Sequence, residues 1–234
     1  MKVFRIVIII FLVFLLANLI IPSPSESYTP SDPLTEEEKT KISEDRKITT
    51  TNSPKEYPIE SYSVDASDSS FAVLYCYNTI LSSLNSSEVK EICVYNADGS
   101  FKYAVCALYS GSVEILLDEG LLYVLPYRGD IVCVYDSDGN LADMINIASC
   151  REEYEKKFES QQTVVGDLEY SMEDRAFGLT PSYQTLRVTD TIGEQKILYQ
   201  SKSAVNFGDA VMLTALLLFF VCGIPLVIYK KQNG

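Results

Sequence analysis

"VCVYDSDGNL" (residues 132–141) restates a phrase met 40 positions earlier, "ICVYNADGSF" (residues 92–101). In both copies an apolar run enters a short turn that ends in glycine. The turn is Asn96, Ala97, Asp98, Gly99 in the first and Asp136, Ser137, Asp138, Gly139 in the second. Asn or Asp at the first turn position accepts hydrogen bonds from its own downstream backbone, and glycine supplies the positive φ that closes a hairpin. The phrase therefore reads as a β-hairpin, and its recurrence as a repeated supersecondary unit. A degenerate third copy, "LRVTDTIGEQ" (residues 186–195), keeps Val188, Asp190 and Gly193 in register at a spacing of 54.

Strand-like runs surround these turns: "FAVLYCY" (71–77), "KEICVY" (90–95), "FKYAVCALY" (101–109), "SVEILL" (112–117), "LLYVLPY" (121–127) and "DIVCVYD" (130–136). They are rich in Val, Ile, Leu and Tyr and are separated by turn residues. Sixteen tyrosines and no tryptophan suit sheets with half-buried faces. One segment breaks the pattern. Ser149 and Glu152 have the spacing of a capping box. Behind them Cys150, Tyr154 and Phe158 form a single apolar stripe. Glu152–Lys156 and Glu153–Lys157 are i,i+4 pairs in the favourable order. This spacing predicts a helix at about 150–161 lying on a sheet.

From the middle copy outward, "GSVEILLDEG", "LLYVLPYRG", "DIVCVYDSDG" and "NLADMINI" make four consecutive short strands. That run resembles one blade of a β-propeller of the bacterial extracellular YVTN, NHL or PQQ type. The resemblance covers residues 71–200 and implies antiparallel, blade-like sheets in about three repeats. Propellers close with four or more blades. Three repeats imply either an open stack of antiparallel sheets or a propeller completed by a second copy of the chain.

The ends of the chain differ from the middle. Residues 6–22 are uncharged and apolar and follow Lys2 and Arg5, with no acidic residue before them. With Val3 and Phe4 the run approaches the roughly 20 residues that span a bilayer. It reads as a transmembrane signal anchor or as a cleaved signal peptide. Residues 208–229 form a second apolar run, ending at Tyr229 and followed by Lys230 and Lys231. The basic flanks place both termini, 1–5 and 230–234, in the cytoplasm. Residues 23–60 are dominated by Pro, Ser, Thr, Glu and Lys and read as a disordered stalk. The expectation is thus a mainly β extracytoplasmic domain over 61–207, with one inserted helix, flanked by two transmembrane helices and facing outside the cell membrane.

The formal charge is −13. Residues 22–208 hold 15 of the 19 basic and 31 of the 32 acidic side chains, a net of −16. Such a surface repels phosphate backbones, so nucleic acid is not expected as a partner. Histidine is absent, which removes the commonest general base, the Ser-His and Cys-His nucleophile pairs and most zinc sites. No P-loop, G-x-G-x-x-G or C-x-x-C occurs. The acidic pairs Asp118-Glu119, Glu152-Glu153 and Glu173-Asp174 leave a glycosidase-like dyad conceivable. Asp136, Asp138 and Asn140 are hard oxygen donors, but glycine comes fourth and no bidentate Glu follows, so the loop reads as a turn rather than a calcium site. Cys93 and Cys133 occupy equivalent places in apolar strands and read as buried thiols, as do Cys76, Cys106 and Cys150.

These features lead to no catalytic, cofactor-binding or metal-ligating residue and to no cofactor. The expected function is a non-catalytic, membrane-anchored binding module with a protein partner, a subunit of an envelope complex, with a homo-oligomer left open. The alternatives are an extracellular hydrolase using a carboxylate pair and an accessory subunit of a transporter or secretion system.

Overall fold

A computed structural model describes residues 33–75, 88–109, 111–159, 163–176 and 181–203, together with Thr214. The fold is a succession of antiparallel meanders. The first runs through β2 (Ile59–Val64), β3 (Phe71–Tyr75), β4 (Glu88–Tyr95) and β5 (Phe101–Tyr109). The second is β6 (Val113–Asp118), β7 (Leu121–Pro126), β8 (Ile131–Tyr135) and β9 (Leu141–Asn146). The third is β10 (Val164–Val165), β11 (Leu168–Arg175), β12 (Tyr183–Asp190) and β13 (Gln195–Gln200). Among the described residues two further helical elements accompany them, α1 (Glu36–Arg46) and α2 (Arg151–Glu159), and a short strand β1 (Thr49–Thr51) pairs with β5.

The first and third meanders belong to one nine-stranded sheet, joined where Tyr183 of β12 pairs with Ile59 of β2. The second is a separate four-stranded sheet in the order β6-β7-β8-β9. Burial explains the layering. The strands β3 and β8 are buried at every position, so a packed layer must cover both of their faces. Ala72 and Leu74 face one way, into a core shared with Ile115, Leu122, Val124 and Cys133 of the small sheet. Phe71, Val73 and Tyr75 face the other way, against Leu186, Leu198 and Tyr199 of the third meander. On the outer side of the small sheet Val132 and Val134 meet Phe158 of α2.

The repeated phrase forms the same hairpin three times, always between the last two strands of a meander. Gly99, Gly139 and Gly193 have φ of +89°, +81° and +82°. Each glycine amide donates to the carbonyl at the start of its turn: Asn96 at 2.9 Å, Asp136 at 3.0 Å and Asp190 at 3.0 Å. In the second and third turns the opening aspartate repeats one motif with its side chain. Oδ1 of Asp136 accepts from the amides of Asp138 and Asn140, and Oδ1 of Asp190 from those of Ile192 and Glu194. What differs is docking. A Cβ at Gly139 would lie 2.5 Å from Cδ2 of buried Tyr103, and a Cβ at Gly99 would lie 3.1 Å from the Leu198 carbonyl oxygen. Around Gly193 the space is open to 4 Å.

Several expectations from the sequence are corrected. The propeller resemblance fails, because the sheets are open and do not close into a barrel or propeller. Two of the three meanders merge into one sheet through β2 and β12 instead of standing as separate blades. The flanking transmembrane helices are not supported either. Among the described residues no helix is long and apolar enough to cross a membrane, and the segments 6–22 and 208–229 lie outside the described residues. The described helices have 11 and 9 residues. At about 1.5 Å per residue neither approaches a hydrocarbon core of roughly 30 Å. A membrane-anchored domain facing outside, with both termini in the cytoplasm, is accordingly not supported.

Part of the segment read as a disordered stalk is ordered. Thr35 and Glu38 form a capping box at the start of α1, with Thr35 N to Glu38 Oε2 at 2.8 Å. Lys47 closes the helix in the left-handed conformation. No residue of α1 itself is buried, and Leu34, Ile42 and Ile48 fasten it to the core between the two sheets.

Candidate functional site

The carboxylate pairs considered for catalysis lie on three different elements. Asp118 sits at the β6–β7 turn, where its Oδ2 is 2.9 Å from the Lys157 ammonium of α2. Glu152 and Glu153 stand in the first turn of α2, where acidic side chains favour the helix dipole. Glu173 holds the Arg187 guanidinium at 2.8 Å, and Asp174 accepts from the Thr185 hydroxyl at 2.9 Å. Asp118, Glu173 and Asp174 are thus engaged by neighbouring side chains, and the three pairs do not converge on one point. In the loop considered for calcium, Asp136 is spent on the turn. Its Oδ1 accepts from two backbone amides, and the Asn140 amide lies 3.2 Å from Oδ2. Among the described residues no group of three metal-binding side chains converges.

Two of the thiols are core groups: Cys93 and Cys133 are fully buried, whereas Cys106 and Cys150, also read as buried, are only half-buried; all four are free. Burial pushes both Cys93 and Cys106 up to about 11, so they stay neutral near pH 7 and are poor nucleophiles. Cys76 lies outside the described residues.

One polar cluster gave no signal in the sequence. Arg46, the last residue of α1, sends its guanidinium under the helix. Nη1 lies 2.8 Å from Cys133 Sγ and 3.4 Å from the Ile131 carbonyl oxygen, and the group stacks 5.0 Å from the Tyr109 ring centroid. A helix-ending arginine among Glu, Lys and Ser residues reads as solvent-exposed charge. Only the fold brings β8 beneath it.

The region that most resembles a binding site lies beside the same helix. Between α1 and β9 there is a groove of about 340 Å³, lined by Lys39, Ser43 and Glu44 on one side and by Leu141–Met144 on the other. The strand β9 ends the four-stranded sheet, so its outer side pairs with no described strand. The direction of its backbone groups follows from one bond. Ile147 N donates to Asp130 O at 2.7 Å. In an antiparallel ladder hydrogen-bonded pairs alternate, so 145 and 143 also point inward and 144 points outward, while the bulge opposite Val134 breaks the alternation at 142 and turns that residue inward as well. The Met144 amide accordingly finds no strand partner and donates to its neighbour's carboxylate, Asp143 Oδ1, at 2.8 Å. Asp143 is held in turn by the Lys39 ammonium at 2.8 Å. The Lys39 bond is the largest influence on Asp143. With the Met144 amide it outweighs desolvation and holds the carboxyl below its usual range.

This arrangement has no nucleophile, base or oxyanion donor facing a common point. It offers charged side chains beside a sheet edge that no described strand covers, which suits recognition.

A scan against protein-family models matched none, and searches of curated proteins and of solved structures returned no similar protein.

Proposed function

We propose that this chain is a non-catalytic binding module whose partner is a protein. The observation that carries this reading is the outer edge of β9, which pairs with no described strand and borders the charged groove beside α1. The placing of the acidic pairs on separate elements, with Asp118, Glu173 and Asp174 engaged by neighbouring side chains, argues in the same direction against a hydrolase. With a formal charge of −13, nucleic acid is not its partner.

The test is photo-crosslinking from three faces of the chain in the cells that make it. A benzophenone amino acid is placed at Tyr127, Ala142 or Ile192; Tyr127 and Ile192 are 71% and 78% exposed. A discrete protein adduct from at least one site is expected. The opposite outcome is no adduct from any site, together with turnover of chromogenic glycosides or esters that is lost in Glu173→Gln or Asp174→Asn. That result would make the chain an enzyme and end the binding-module reading.

A further inference from the structure

The two copies of the repeated phrase place a thiol at the same point, Cys93 and Cys133, and bury both fully. Their surroundings differ. Cys93 shares its core with Tyr75 and Tyr95, whose hydroxyls bond to each other at 2.9 Å. Cys133 instead meets the Arg46 guanidinium at 2.8 Å. We infer that Cys133 is a site of reversible oxidation by hydrogen peroxide, and that Arg46 holds the oxygen the sulfur gains. The inference does not depend on what the chain binds.

The first ground is a surplus of donors. A guanidinium carries five N–H groups, and the acceptors in its reach are Cys133 Sγ and the Ile131 carbonyl oxygen at 3.4 Å. Loss of water works against its charge, and the groups that offset this are Cys133, Tyr109 and Tyr135; among the described residues no carboxylate pairs with it. Two further donors stand idle. Tyr109 and Tyr135 are 3% and 0% exposed, and neither hydroxyl has a hydrogen-bond partner. The Tyr135 hydroxyl lies close to both Cys133 and the Tyr109 hydroxyl yet bonds to neither. Buried polar groups left in this state are costly. An oxygen on Cys133 supplies the acceptor that all three side chains lack.

The second ground is chemistry. Oxidation selects a thiol beside a cation. The sulfur attacks one peroxide oxygen, so the S–O bond forms as the O–O bond breaks. Sulfur loses two electrons, and the other oxygen takes the thiol proton and leaves as water. The product is a sulfenic acid. Two equivalents of a small thiol restore it, leaving as their disulfide with one water.

The third ground is access. What covers Cys133 is the last turn of α1, a helix with no buried residue of its own. The groove beside that helix reaches Met144, which pairs with Cys133 across the β8–β9 ladder. A helix end so lightly held opens more readily than a core strand, and peroxide is little larger than water.

The experiment treats the folded full chain with hydrogen peroxide, removes it with catalase, unfolds the chain in urea with N-ethylmaleimide, and maps which cysteines carry oxygen. Cys133 should oxidise roughly tenfold or more faster than Cys93, its equally buried counterpart. Dithiothreitol before the maleimide should restore it. Hydrogen exchange at the amides of residues 44–47 should slow after oxidation, because the end of α1 has gained a bond. Arg46→Gln should bring Cys133 down to the rate of Cys93. Oxidation of Cys133 no faster than Cys93 in the parent chain would overturn the inference, with no variant needed. So would a rate in Arg46→Gln at or above the parental one, or faster exchange at the end of α1 after oxidation. Either result would mean that Arg46 only shields the sulfur.

Discussion

Gly139, Gly99 and Gly193 perform one conformational task in three settings. All three hold a left-handed φ, which costs a residue with a Cβ about 1–2 kcal/mol. At Gly193 that is the whole cost, since nothing stands within 4 Å of an added Cβ. At Gly139 the methyl group would also meet the buried ring of Tyr103 at 2.5 Å and the Thr50 methyl at 3.0 Å. Overpacking of this kind adds roughly 1–3 kcal/mol. Gly193→Ala should therefore lose about 1–2 kcal/mol and Gly139→Ala about 2–5 kcal/mol, with Gly99→Ala between them; urea denaturation gives the order. Equal losses at 139 and 193 would show that the Tyr103 contact is not felt. Asp65 makes a second residue-scale case. It is fully buried at the β2–β3 turn. Its Oδ1 accepts from the Ser67 hydroxyl and amide, and its Oδ2 accepts from the Gly120 amide of the small sheet at 2.6 Å. Desolvation alone would raise its pKa, but these donors outweigh it and hold the carboxyl below the usual carboxylate range. A depressed carboxylate stabilises the fold above its unfolded pKa and loses that contribution as pH falls through the folded value. The urea midpoint should accordingly hold near pH 6 and drop below about pH 4. In Asp65→Asn the drop should be shallower and the midpoint lower throughout.

At the level of elements, α2 shows what a sequence pattern can specify. Its stripe of Cys150, Tyr154 and Phe158 reads as a helix on a sheet. The helix runs from Arg151 to Glu159, with Phe158 buried against Leu116, Val132 and Val134. Phe158→Ala should cost about 3–5 kcal/mol, whereas Glu159→Ala, exposed one residue later, should change little; thermal unfolding separates the two. The surface pairing was less legible. Lys157 has the spacing to meet Glu153, yet it reaches Asp118 at 2.9 Å and lies 4.5 Å over the Tyr123 ring. Charges choose among partners that only the fold brings near. The helix α1 lies beyond pattern reading for a different reason. With Ile42 as its one apolar residue it has no stripe to read, and its other anchors Leu34 and Ile48 lie just outside it. The binding groove inherits that difficulty, since one of its walls is α1. The other wall, β9, alternates weakly, and nothing in "LADMIN" marks it as a sheet edge.

For the whole molecule, local pairings were readable and distant ones were not. Hairpins such as β4–β5 and β8–β9 announce themselves through an apolar run, an Asx turn and a glycine within ten residues. The pairing of Tyr183 with Ile59, which fuses the first and third meanders, rests on residues with no such mark. That single junction separates an open, layered stack from a ring of equivalent blades, so the periodicity of the sequence pointed beyond what the fold delivers. The unequal docking of the three hairpin tips bears on how the molecule tolerates added material. The 136–139 tip is wedged into the large sheet, with Gly139 against Tyr103 and its carbonyl accepting from the Thr50 hydroxyl at 2.7 Å. The 190–193 tip touches nothing at Gly193 and carries a solvent-facing Ile192. The second behaves as a port, and the first as a rivet. An affinity tag or a small reporter domain spliced between Thr191 and Ile192 should leave the melting temperature within a few degrees of the parent. The same splice between Ser137 and Asp138 should pry the small sheet from the large one and leave a chain that fails to fold.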